Sequence, residues 1–226
     1  MDIETPKVAY RETFKQKVRV QGKHKKQSGG HGQYGDCWIR LEPLVSGSGF
    51  EFVDEIVGGV IPKNYIPAVE AGVREASQNG ILAGFPCVDF RVIVDFGSYH
   101  SVDSSEMAFK MAGSLAFKNA AADAKATLLE PIMKVAVKVP DDSTGDIMGD
   151  LNSRRGRVLG MDSEDDKQII NALVPMAEML RYAPDLSSMT GGRGTFTMEF
   201  EQYDVVPMDL AQKVIDRVIK EKEEAK

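Results

Sequence analysis

Apolar and polar residues alternate toward the end of the stretch 8–20, through Phe14, Val18 and Val20, which predicts one long strand. The stretch 21–35, rich in Gly and Lys, reads as a connecting loop, long for a hairpin. A second strand is expected over 36–44, with Cys37, Ile39 and Leu41 on one face and Trp38 and Arg40 on the other. Ser46-Gly47-Ser48-Gly49 makes a turn into a third strand at 50–57. Pro67 belongs in the first turn of a helix with a buried stripe of Ile66, Val69, Val73 and Ala76, stopped by Asn79-Gly80 after Gln78. Residues 87–96 return to period two through Val88, Phe90, Val92 and Val94. Asp103, with Glu106 three residues on, predicts a capped helix running to about Lys125. Along it Met107, Met111 and Leu115 repeat at helical spacing beside Ala108, Ala112 and Ala116.

Leu129-Glu130-Pro131 marks a boundary, so two domains are expected, 1–129 and 130–226. Beyond it the patterns give a strand (132–139), a helix (143–153), strands at 156–162 and 167–174, a helix (176–183) and a strand (193–203). That order, βαββαβ, is the split βαβ plan of ferredoxin-like domains. An amphipathic helix from Asp209 follows, with Leu210, Val214, Ile215, Val218 and Ile219 on one stripe. The fold class is therefore α+β.

Composition narrows the function. A hydrophobic content of 42%, a charged content of 27% and no apolar run near the ~20 residues of a membrane span predict a soluble, core-forming chain without a membrane partner. Two cysteines, Cys37 and Cys87, are too few for a disulfide framework and suit a reducing cytoplasm. The net charge of -6 argues against a protein basic over its whole surface. The charge is uneven, however: Lys7, Arg11, Lys15, Lys17, Arg19, Lys23, Lys25 and Lys26 face only Glu12 within their stretch. One end of an acidic protein can thus still attract phosphate.

All three histidines fall in two stretches expected as loops, 21–35 and 97–103. If the first two strands pair, these stretches can meet at one end of the sheet. They hold cationic donors (Lys23, Lys25, Lys26), amides and hydroxyls (Gln27, Ser28, Gln33, Ser98, Ser101) and rings (His31, Tyr34, Tyr99, His100). Gly29, Gly30 and Gly32 allow close backbone approach, and Val102 and Asp103 complete the second stretch. Irregular RNA is read with such groups; a solvated loop pair with incidental histidines has the same composition.

Other chemistries fit less well. Neither C-x-x-C nor H-x-x-x-H spacing occurs, which argues against zinc. Cys37 with His31 is a formal nucleophile pair, but Cys37 falls on an apolar strand face. No G-x-x-x-x-G-K-[ST] occurs, and Gly191-Gly192-Arg193-Gly194 precedes a strand, so no nucleotide site is expected. Arg154, Arg155 and Arg157 follow a helix end, where cations either answer the helix dipole or bind phosphate.

The run Gly22-Lys23-His24-Lys25-Lys26-Gln27-Ser28-Gly29-Gly30-His31-Gly32-Gln33-Tyr34-Gly35 resembles the first tip loop of domain IV of elongation factor G. The stretch from Gly97-Ser98-Tyr99-His100-Ser101-Val102-Asp103 through Lys110 resembles the second tip loop and the helix after it. Gly145-Asp146-Ile147-Met148-Gly149-Asp150-Leu151-Asn152-Ser153-Arg154-Arg155-Gly156, continued by 177–182 and 195–198, is similar to domain V of that family. The resemblance implies a βαβ-type first domain related to a ribosomal-protein fold, and a ferredoxin-like second domain. It implies that the tip enters the small-subunit decoding site during tRNA–mRNA translocation, and that the second domain lies near the GTPase-associated region of the large subunit. It further implies a monomer with no catalytic residues or cofactor of its own, GTP and magnesium belonging to a G domain outside this sequence. His100 sits where the eukaryotic relative carries a modified histidine. His31 and the run Cys37-Trp38-Ile39-Arg40 depart from the main bacterial factor and point to a paralogous form. Elongation, ribosome recycling, ribosome protection and a free-standing RNA-binding module remain open as roles.

Overall fold

The computed structural model describes residues 7–225. The expected domain ends at residues 1 and 226 lie outside the described residues, as does the side chain of Ser28. The chain divides into two units. One comprises Arg11–Leu129 and the segment from Val206 onward; the other comprises Glu130–Val205 with the segment ending at Tyr10.

In the first unit the strand expected over 8–20 is two strands, β1 (Arg11–Phe14) and β2 (Val18–Ser28). The break comes where the backbone N–H groups of Lys15 and Gln16 both donate to Ala124 O, turning the chain out of line. β1 pairs antiparallel with the start of β6 (Ala126–Pro140), whereas β2 joins a separate sheet. That sheet has the order β2, β3 (His31–Pro43), β5 (Phe90–Ser98), β4 (Phe50–Asp54), with β4 parallel to β5 and the other neighbours antiparallel.

Two helices, α1 (Ile66–Gln78) and α2 (Glu106–Asp123), pack with the sheet around one core. The stripe expected on α1 is buried as read. On α2 the buried face is instead Ala108, Phe109, Ala112, Ala116, Phe117 and Ala120, while Met107 and Met111 are 67% and 45% exposed. The runs beginning at 107 and 108 share one spacing, and the sheet selects the alanines where its backbone approaches α2 most closely. At Gly22 and Gly35 an added Cβ would strike the α2 backbone at Ala112 O and Ala108 O. The cap of α2 also differs: Ser105, in extended conformation, accepts from Ala108 N (3.1 Å), and Glu106 enters the first turn, where an acid suits the helix dipole.

The second unit has the strand order β9 (Thr195–Val205), β6, β8 (Lys167–Pro175), β7 (Arg157–Glu164), with α3 (Thr144–Ser153) and α5 (Tyr182–Thr190) bearing on its core. This is the order of the split βαβ plan. The helix expected at 176–183 is a short α4 (Met176–Met179) and then α5. Pro184, just past the expected end of that helix, occupies the first turn of α5, where a missing N–H costs nothing. The last helix, α6 (Met208–Glu224), groups with the first unit: Val206 N donates to Leu128 O, and Lys222 Nζ to Ala83 O (2.7 Å). Leu210, Val214, Ile215 and Val218 are half-buried along it.

Candidate nucleic-acid interface

The stretch 21–35 is not a loop. β2 and β3 stay paired to Ser28↔His31, and only Gly29 (φ 61°) and Gly30 (φ 104°) turn the chain. A two-residue turn with both central residues at positive φ calls for glycine. Gly22 and Gly35 therefore signal close helix approach within strands rather than turns. The hairpin places His31 at its exposed end, with Lys25, Lys26, Gln27 and Gln33 exposed along it and Gly32 half-buried. His24 is partly buried, its Nε2 within 2.8 Å of Gln33 Oε1.

The second stretch folds against the first. Tyr34 N donates to Asp103 O (2.9 Å), and Ser104 Oγ donates to Tyr34 O (2.8 Å). Gly32 lies against the Asp103 carboxylate so closely that a Cβ would sit 2.6 Å from Oδ2. Asp103, expected to cap α2, thus holds the two segments together. His100 is anchored through its backbone, N to Ser104 Oγ (2.8 Å), and its Nδ1 accepts from Asp103 N (3.1 Å) and Val102 N (3.3 Å). An accepting Nδ1 assigns the neutral-ring proton to Nε2, which leaves one donor on a side chain 53% exposed. The Tyr34 and His100 rings lie 6.3 Å apart between centroids. Tyr99, Ser101 and Val102 are exposed or nearly so, and Ser98 is half-buried.

Beneath this tip a polar network fixes the strands. Gln21 Nε2 donates to Asp36 Oδ1 (2.7 Å) and Ser98 Oγ to Asp36 Oδ2 (2.6 Å). Because the Ser98 hydroxyl hydrogen is used on Asp36, the Tyr34 hydroxyl donates to Ser98 Oγ (2.7 Å). Asp36 itself is only 5% exposed. Asp36, Gln21 and Ser104 were not among the expected site residues; the one signal in sequence is an acid within an otherwise apolar-faced strand. Lys23 rests over the Tyr34 ring at 5.4 Å. Among the described residues Lys23, Lys25 and Lys26 have no carboxylate partner, so their charge is free to meet phosphate.

The other candidates separate. Cys37 is fully buried, and burial, reinforced by Asp36, pushes its thiol up to about 12. It lies six strand positions from His31, roughly 20 Å at ~3.3 Å per step, so the pair cannot act as nucleophile and base. Arg154 donates to Asp150, to Glu178 O and to Asp185. Arg155 makes a two-pronged bond to the buried Glu130 (2.7 and 3.0 Å) and a third to Glu178. Both guanidinium groups are used internally, with Arg155 itself in the left-handed region (φ 58°) just past the end of α3. Of the three arginines only Arg157, exposed on β7, keeps its donors outward among the described residues.

Residues 6–125 match the family described as elongation factor G, domain IV, and residues 127–214 match the elongation factor G C-terminus. A crystallised protein from Thermus thermophilus is 50% identical, with a TM-score of 0.87 over 96% of this chain. This chain spans 32% of that protein's length. Two consecutive family matches over nearly every residue show that the chain belongs to the elongation factor G family of translation factors, of which it carries domain IV and the C-terminal domain.

Proposed function

We propose that this chain is the ribosome-reaching part of a translocation factor, whose tip enters the small-subunit decoding site and promotes movement of tRNA and mRNA. One observation carries the reading. The hairpin end and the 98–103 segment are hydrogen-bonded into one projection that presents His31, the His100 Nε2 donor, Gln27 and unpaired lysines to solvent. Such a projection can compete for the contacts that hold a codon–anticodon duplex, by hydrogen bonds to backbone, base edges and 2′-hydroxyls. It needs no covalent chemistry, because a shaped body that fits one ribosome state better than another shifts their balance. In this reading GTP and magnesium are bound by a G domain outside these residues, and the second unit faces the large subunit through its exposed face, Arg157 included.

The test is single-turnover translocation by the full-length factor carrying His31→Ala with His100→Ala. Losing even about 1.4 kcal/mol of state-specific contact slows the step about tenfold, while GTP hydrolysis is unaltered. Translocation at the unaltered speed overturns the proposal.

A further inference from the structure

We infer that the open face of the β2–β3–β5 sheet, centred on Phe96, is a second RNA-contact surface that takes unpaired nucleotides by stacking. Residues 19, 21, 23 and 25 of β2 share one face, and their cross-strand partners Arg40, Trp38, Asp36 and Tyr34 share it with them. Across β3 the partner of Trp38 is Phe96, so two aromatic residues stand side by side on the face away from the helices. Phe96 is 48% exposed. The Arg19 guanidinium lies over the Trp38 ring at 4.7 Å and is locked there by a two-pronged bond to Asp95 (2.9 and 2.9 Å). The result is an exposed ring beside a ring with a planar cation fixed over it, and a base has a π-face for either surface.

Charge along the same face identifies the occupant. Away from the tip each cation is matched: Lys17 with Glu42, Arg19 and Arg40 with Asp95, Arg91 with Glu51. Nearer the tip Lys23 and Lys25 are exposed without a carboxylate partner among the described residues. In a chain of net charge -6, the unmatched positive charge lies tipward of the exposed ring on the same face, which suits a polyanion with stackable bases running along it. A purely apolar protein partner would leave these ammonium groups desolvated and unpaired.

The inference rests on the RNA-directed reading of this unit and shares Lys23 and Lys25 with it, but its ring, Phe96, stands apart from the tip histidines, so substitutions at Phe96 and at His31 with His100 test the two separately. Trp38 is the only tryptophan and the neighbour of Phe96, so its fluorescence reports occupancy of this face without a label. The probe is an oligouridylate of about ten nucleotides, within the range one such surface accommodates. Binding to the intact chain alters Trp38 emission; Phe96→Ala and Phe96→Leu weaken it by about 5- to 150-fold, and Phe96→Tyr retains it. Lys23→Gln with Lys25→Gln reduces the slope of log affinity against log salt by about 1.4. His31→Ala with His100→Ala leaves the Trp38 response in place. Binding indifferent to both Phe96 truncations overturns the inference, and so does an equal Trp38 response to inorganic polyphosphate at the same ionic strength. Slow translocation by the tip variant beside Phe96-independent oligonucleotide binding would refute this surface and leave the tip reading intact.

Discussion

Glu12 is fully buried, and its carboxylate is the anchor of the loop after α1. Oε2 accepts from Ile81 N (2.6 Å) and Leu82 N (2.9 Å), and Oε1 from Ala83 N (2.9 Å) and Phe85 N (3.2 Å). Glu12→Gln preserves size but replaces one oxygen with an NH2 group that faces two N–H donors. Those two buried donors lose their acceptor at ~1–3 kcal/mol each, so the substitution costs about 2–6 kcal/mol. For a domain of this size, at roughly 2–4 °C per kcal/mol, the thermal midpoint falls by about 4–24 °C. Urea unfolding followed by Trp38 emission measures this directly, since Trp38 belongs to the same unit. Amide exchange at residues 81–85 accelerates along with it, because their N–H groups lose the acceptor that the fold supplies. The same loop offers Ala83 O to Lys222, so α6 loosens as well. A loss below ~0.5 kcal/mol, in the range of an ordinary surface substitution, would refute the reasoning by showing that the N–H groups find other partners.

Further outcomes follow from the packing, the cap and the buried thiols. Gly35→Ala forces α2 away from β3, since its Cβ meets Ala108 O, and lowers stability by about 1–3 kcal/mol in the same urea assay. Ser105→Ala removes the true cap of α2 and costs about 1 kcal/mol, whereas Asp103→Ala leaves α2 helicity unchanged by circular dichroism. Cys37 is fully buried and Cys87 nearly so, both with raised thiols, so a thiol reagent at pH 8 labels neither until denaturant is added. Burial favours the neutral thiol of Cys37, so its contribution is complete below its ordinary 9.0 and fades as pH climbs to about 12. A denaturation midpoint that rose across that interval would contradict it.

Much of the fold was legible because its cause is local. The stripe of α1 and the alternation of β5 state which face is buried, whatever covers it. The order βαββαβ after residue 130 likewise sufficed for the sheet order found. What was not legible came from contacts distant in sequence. The glycines at 22 and 35 look like loop residues until α2 is seen to lie against them. Asp103 reads as the cap of α2 in sequence, but that role falls to Ser105, which accepts from Ala108 N, while the bond from Tyr34 N, across the sheet, ties Asp103 to the hairpin. Arg154 and Arg155 stand in sequence between a helix-dipole role and phosphate binding until Asp185 and Glu130 are found to take their donors. Glu12 stood out only as the lone acid in a basic stretch, with nothing to say that four N–H groups from residues 81–85 converge on it.

By itself, then, the sequence determined the α+β class, the histidine-bearing segments and the family whose motifs they carry. Those properties depend on periodicity and on short runs of residues, which a linear string contains in full. Tertiary structure alone decided that the two segments interlock at one tip, which cations stay unpaired, and that Phe96 is left open beside Trp38. Pairing and exposure are set by which groups meet after the chain has closed on itself, and the partners here lie about 20 to 100 residues apart, too far for any local pattern to encode.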